Sequence, residues 1–345
     1  MKTSSRMCLG ALLALVVLAG REARADSGTY RVVTRHAVGG EGGWDYLTVD
    51  PEAHRLYYGR STRVQVLDLV TGKVVGEVPD TPGIHGVALA PDLGRGFTSN
   101  GRDSSVTVFD LKTLDVVRRI HVTGRNPDAI LYEPVTKRVF TFNAGSRSAT
   151  AIDAASGRVV GTVELGGQPE FAVADGKGGV FVNLEDSGAV AGFDARSLEV
   201  RTRWPLKGGE GPSGLALDRV HHRLFAVCRN ERMVVLDSGS GRVVATLPIG
   251  KGTDGAAYDA ATGLAFSSNG EGTLTVIHED SADEFRVVGT VTTQRGARTL
   301  ALDPKTHRLY TAAASYSATP APTAERPHPR PPMLPDSFVI LVLDR

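Results

Sequence analysis

The chain has 345 residues, with 39 Lys plus Arg against 38 Asp plus Glu and a formal charge of +1. So even a balance leaves no electrostatic footprint for nucleic acid or for an anionic membrane surface. Only two cysteines are present, too few for a disulfide framework or a Cys-based metal site.

Residues 1–25 read as an export signal. Lys2 and Arg6 supply a basic start, Leu9 to Leu18 is apolar but too short to cross a bilayer, and Ala23-Arg24-Ala25 is a small-x-small cleavage site. The expectation is a mature chain beginning at Asp26, with no transmembrane span, located in the periplasm or secreted. Cys8 stands at the start of the apolar stretch, the wrong place for a lipid anchor. Cleavage removes Lys2, Arg6, Arg21, Arg24 and Glu22, leaving 35 basic and 37 acidic residues and a net charge of −2. Cys228 is then the remaining thiol, set in the apolar phrase Leu224 to Cys228, and reads as buried and inert.

Tyr30 to His36 alternates as a strand. Beyond it one phrase recurs: Leu47-Thr-Val-Asp-Pro51, Val87-Ala-Leu-Ala-Pro91, Leu215-Ala-Leu-Asp218 and Leu300-Ala-Leu-Asp-Pro304 are its clearest copies. The residues leading the seven copies are Asp45, His85, Asp128, Glu170, Ser213, Asp254 and Arg298, spaced 40, 43, 42, 43, 41 and 44 apart. A period in the low forties built of short strands predicts an all-β, seven-bladed β-propeller with four antiparallel strands per blade. One closed domain then spans 26–345.

Residues 126–165 serve as the template blade, with strands at 128–132, 138–142, 149–153 and 158–165. An aspartate ends the third strand in six blades (Asp68, Asp110, Asp153, Asp194, Asp237 and Asp344), and His278 stands in the sixth. Each is read as preceding a tight turn, so these carboxylates are expected to accept hydrogen bonds from the turn's own N–H groups. The last blade has an inner strand at 298–302, a second at 308–313 and a third at 338–343, and the chain then stops. Its missing outer strand is expected from Tyr30–His36, closing the ring and removing open edges. Residues 316–336 form a Pro-rich insertion between the second and third strands of this blade, carrying Pro320, Pro322, Pro327, Pro329, Pro331, Pro332 and Pro335. Such a segment is extended and semi-stiff, either a flap over the channel mouth or a tolerated surface loop.

The seven lead residues are expected to ring one opening of the central tunnel. Six of the seven are ionisable, against 86 of 345 in the whole chain, which singles out this position as a candidate site. Asp45, His85, Asp128, Glu170 and Asp254 could hold one divalent cation, Ca²⁺ or Mg²⁺ through oxygens or Zn²⁺ through imidazole and carboxylate. Without metal, crowded carboxylates raise one another's pKa and supply a base, with His85 carrying a proton and Arg298 holding an anion. A plain hydrated funnel or ligand-binding mouth is the alternative. Asn100, Asn143 and Asn269 share one place at the end of the second strand, where Arg60, Leu184 and Cys228 stand in other blades. Their amides either bond neighbouring backbone or touch a ligand. Trp44 precedes Asp45 and could stack on a ring-shaped ligand, whereas Trp204, Tyr46, Tyr132 and Tyr258 are expected to pack between blades.

Ala301-Leu-Asp-Pro-Lys-Thr-His-Arg-Leu-Tyr310 and Val64-Gln-Val-Leu-Asp-Leu-Val-Thr-Gly-Lys-Val-Val75 resemble the YVTN-repeat, or YncE-like, β-propeller family. The resemblance covers essentially the whole mature chain and implies a secreted seven-bladed propeller. Its wider neighbourhood includes lactonase-like and lyase propellers that work at the channel mouth, usually with a divalent cation. None of their full ligand motifs transfers to this chain. Blade four (Asp175-Gly176), blade six (Asp259-Ala260) and the insertion in blade seven depart from the repeat. Two functions follow as expectations. One is an exported monomeric binding or scaffold propeller presenting its charged mouth to a small-molecule, glycan or protein ligand; the other is a metal-assisted hydrolase or lyase.

Overall fold

A computed structural model describes residues 29–323, 327 and 329–345; the export-signal reading of 1–25 lies outside them. Seven four-stranded antiparallel sheets follow one another around a central tunnel. Blades one to six span Leu47–Val78, Ile84–His121, Pro127–Glu164, Pro169–Pro205, Pro212–Pro248 and Thr253–Thr292. In the template blade the strands run Pro127–Glu133, Arg138–Asn143, Ser148–Asp153 and Val159–Glu164, within a residue or two of expectation.

Blade seven is assembled from both chain ends. Its order, from the outside in, is Arg31–Ala37, Val339–Asp344, Leu309–Ala313 and Leu300–Leu302. Arg31 pairs with Asp344 and Ala37 with Val339, with one register shift between Val32 and Thr34. The expected closure is therefore present.

Burial follows strand position. Second and third strands are sandwiched between neighbouring blades and are buried almost throughout, as in Leu309–Ala313 and Arg138–Asn143. Fourth strands face water: in Val116–His121 only Ile120 is buried. The apolar side chains accordingly cluster between blades, one group joining Phe140 and Phe142 to Val180, Val182 and Phe193. Another joins Leu56 and Tyr58 of blade one to Tyr310, Phe338 and Ile340 of blade seven.

The strand-ending aspartates are turn fasteners. Asp68 Oδ1 accepts from the N–H groups of Val70 (3.1 Å) and Thr71 (2.7 Å), and Asp110 and Asp194 repeat the pattern. Those main-chain donors hold all three carboxyls below the usual carboxylate range. Asp344 departs from the expected pattern and pairs with Arg308 at 2.8 Å.

The Pro-rich segment leaves from the mouth face. Its base is stitched by Leu334 N–H to Ser315 O (2.8 Å) and Ser317 N–H to Pro332 O (3.0 Å), and Tyr316 lies within the field of Arg298.

Removing residues 26–37 strips the outer strand from blade seven and exposes the buried edge Val339–Asp344. The truncated chain should lose its cooperative thermal transition by circular dichroism and sediment as aggregate. A monomer retaining the full-length melting curve would refute closure as the organising contact.

Candidate functional site

Backbone irregularity aims the lead residues at the axis. In blades two to six the pairing of first and second strands shifts register at the lead residue: between Ile84 and Val87, Pro127 and Ile130, Pro169 and Ala172, Pro212 and Leu215, and Thr253 and Gly255. Bulges of this kind re-aim a side chain at the rim of a sheet. Asp45 and Arg298 lie just before their strands begin. Bonds from one blade to the next then fix the ring's main chain. Ser99 Oγ donates to Asp128 O and Ser268 Oγ to Arg298 O. Asn183 Nδ2 donates to Ser213 O at 2.8 Å, and Thr299 Oγ1 to Asp45 O at 2.9 Å.

The six ionisable lead residues lie close to one another at this end of the tunnel. His85 Nδ1 lies 2.8 Å from Asp45 Oδ2 and 3.4 Å from Asp128 Oδ1. Arg298 bridges from the other side, with Nη2 at 3.5 Å from Asp45 Oδ1 and Nε at 3.3 Å from Asp254 Oδ2. A Cβ at position 101 would come within 2.8 Å of His85 Nε2, so Gly101 makes room for the imidazole. Asp45, Asp128, Glu170, Asp254 and Arg298, with Ser213 and Thr253, border an open cavity of about 480 Å³.

One residue of the site was not expected there. Tyr46, assigned above to packing between blades, lies across the tunnel from blade one to blade four. Its hydroxyl is 3.4 Å from Glu170 Oε1 and its ring centroid 5.4 Å from that of Phe171. A Cβ at position 86 would sit 3.3 Å from its Cδ2, so Gly86 leaves the ring its path. Glu185 and Arg229, paired with each other, also line the cavity. Each follows directly on a second-strand end, the position next to the asparagines already singled out.

Other candidates lie elsewhere. Asn100, Asn143 and Asn269 are fully buried, and hydroxyls of their own blades take up their amides. Asn143 Nδ2 donates to Ser148 Oγ (3.3 Å) and Thr150 Oγ1 (3.0 Å), while Thr141 Oγ1 donates to its Oδ1. Asn100 and Asn269 repeat this arrangement. Arg60, at the equivalent place, donates to Gly39 O and Gly40 O and stacks over Phe338, locking the N-terminal segment onto the blade one–seven seam. Trp44 packs on the same Phe338, ring centroids 4.9 Å apart. Tyr132 and Tyr258 pack between blades as expected. Cys228 is buried, and desolvation pushes its thiol up to about 12.

The mouth is short of positive charge. Burial, reinforced by Asp128 and Asp254, pushes Glu170 up to about 9. Burial likewise raises Asp254 to about 7, against the pull of Arg298, and Asp128 to about 6, against that of His85. Burial resists charging His85, but the Asp45 hydrogen bond and the two aspartate charges outweigh it and its pKa rises. Asp128 Oδ1 is buried and meets no hydrogen-bond donor in good geometry. The site can therefore hold protons near neutrality, or exchange them for a cation.

The fold defines the class: a seven-bladed β-propeller of WD40-like architecture. The chain matches no family model and no curated protein sequence. It is similar in structure to Kuenenia stuttgartiensis hydrazine synthase, with a TM-score of 0.68 and 18% identity over 83% of this chain and 95% of that one. It is also similar to a chain of the mitotic checkpoint complex, with a TM-score of 0.72 and 12% identity over 88% and 96%. At such identities the likeness extends to the fold alone.

Glu170 gives a pH prediction with a defined sign. A carboxyl whose folded pKa lies above its unfolded one favours folding at low pH, and stability falls as pH rises from about 4.5 towards about 9. Glu170→Gln keeps an acceptor for Tyr46 but removes this linkage. It should stabilise the metal-free protein at pH 8 by on the order of 2 kcal/mol and flatten the fall in Tm between pH 5 and 9. Calorimetric scans across that range that show equal slopes for both proteins would contradict the assignment.

Proposed function

We propose that the protein is an exported, monomeric propeller of the YVTN-repeat type that binds a cation-bearing small molecule in its channel mouth. The observation carrying this reading is the gathering of Asp45, Asp128, Glu170 and Asp254 around one cavity of about 480 Å³, with three of these carboxyls raised in pKa. Side-chain cations within the ring come from Arg298 and, when protonated, His85. Holding such groups together costs stability, and an entering ammonium or metal ion would offset that cost by pairing with carboxylates already desolvated. A cavity of this size suits a small ligand or one sugar unit better than a protein surface.

A second reading, a metal-assisted lactonase-like hydrolase or lyase, is favoured by one further observation. One ligand atom each from Asp45, His85 and Asp128 lies within 4.8 Å of the other two. That set of one imidazole and two carboxylates suits Zn²⁺; a bound ion would polarise a substrate carbonyl. In this reading Arg298, outside the metal set, holds an anionic substrate group.

Titration calorimetry with glucosamine, putrescine, Ca²⁺, Mg²⁺ and Zn²⁺ tests both readings. For the first, at least one amine should bind, and Asp254→Asn combined with Glu170→Gln should weaken it at least tenfold. Affinity unaffected by the double change would overturn the mouth as the binding site. Turnover of simple lactones that appears only with metal and is lost in His85→Ala would replace the first reading by the second.

A further inference from the structure

Two departures from the repeat meet on the face opposite the mouth. Six of the seven blades place an acid at or directly after the end of the first strand, blade two having Ala90 instead, and in four of them the residue three further on is Ala or Thr: Ala53, Thr136, Thr262 and Thr306. The Thr136, Thr262 and Thr306 hydroxyls donate to the acids Glu133, Asp259 and Asp303 at 2.6, 2.7 and 2.8 Å. In blade five that place is taken by His221, which pairs with the strand-ending Asp218 at 2.8 Å and also with Glu279 of blade six at 3.1 Å. Glu279 is itself out of pattern. The residue after the third-strand acid is Leu69, Leu111, Ala154 and Ala195 in blades one to four, an apolar position filled in blade six by a carboxylate. The third strand of that blade, Thr273–Ser281, is also extended to nine residues.

The result is one imidazole and two carboxylates at the blade five–six seam. Asp218 is 1% exposed and Glu279 7%, while the His221 side chain is 46% exposed. Asp218 accepts the Val220 and His221 N–H groups at 2.8 and 3.0 Å, which hold it in place. Glu279 Oε2 is buried and meets no hydrogen-bond donor in good geometry. The neighbouring guanidinium of Arg223 pairs with Asp237 and Asp283 and donates to His221 O, so its charge is directed to other carboxylates. Two buried carboxylates thus share one imidazole, with the Tyr258 hydroxyl beside Glu279.

We propose that Asp218, His221 and Glu279 form a transition-metal site of the Zn²⁺ type, distinct from the mouth, that fastens blade five to blade six. Ligands 2.0–2.2 Å from a tetrahedral zinc stand about 3.4 Å apart. His221 Nδ1 already lies 2.8 and 3.1 Å from its two carboxylate neighbours, so an opening of a few tenths of an ångström admits the ion. The exposed side of His221 gives it an entry path and leaves the fourth position to water. Metal ligands bind in their deprotonated forms, so uptake weakens in acid.

The test uses the mature chain carrying His85→Ala, which removes the imidazole of the mouth cluster. Calorimetric titration with Zn²⁺ at pH 7.5 should find one equivalent bound, and Co²⁺ should give visible absorption bands of a low-coordinate nitrogen–oxygen site. His221→Thr with Glu279→Leu restores residues other blades carry, so the fold should persist by circular dichroism. Affinity should drop at least tenfold and the cobalt bands should vanish. Absence of zinc binding, or binding undiminished in the double variant, would overturn the proposal. Either result leaves the reading of the mouth untouched.

Discussion

The hydrogen-bonded pairing of Arg31–Ala37 with Val339–Asp344 is the contact on which the molecule depends. It joins residues some three hundred positions apart, so the chain forfeits a large loop-closure entropy before the seam forms. In return, blade seven gains its fourth strand, and a row of seven wedges with two bare ends becomes a ring whose remaining sheet edges are short. Only in the ring do residues from seven separate repeats face a common axis. Arg60 and Trp44 reinforce the same seam by packing on Phe338.

What the ring brings together is energetically awkward. Backbone bonds from Ser99, Asn183, Ser268 and Thr299 hold the lead residues where they are, so the carboxylates cannot spread apart to relieve their repulsion. Asp45 lies beside both His85 and Arg298, and Glu170 meets the Tyr46 hydroxyl. A fold that tolerates such crowding does so through the apolar contacts between every pair of blades, which are remote from the axis. Stability and site chemistry are thereby separated into different layers of each wedge.

Much of this was legible in the sequence. A low-forties period, alternating strands and a short final repeat specify blade number, strand order and closure, because each follows from local patterning repeated seven times. The ring was legible because one register position repeatedly carries ionisable residues. What escaped was whatever depends on direction or distance rather than on period. Tyr46 sits where a strand residue would pack between blades, yet its ring reaches Phe171, 125 positions further on. Trp44 looks like a rim aromatic until Phe338 arrives from the far end of the chain. The buried asparagines read equally as ligand contacts or as network members, and only the hydroxyls of Thr98, Thr141 and Ser267 beside them decide. His221 and Glu279 were visible only as deviations from their own repeat, a signal that needs the blades aligned in space.

Tyr46 changes what kind of conduit the axle is. By reaching from blade one to the Glu170–Phe171 stretch of blade four, it sets a phenol ring in the passage beneath the acidic rim. A solute drawn in by the carboxylates meets an aromatic face with one hydroxyl there, so the mouth offers an apolar contact as well as charge.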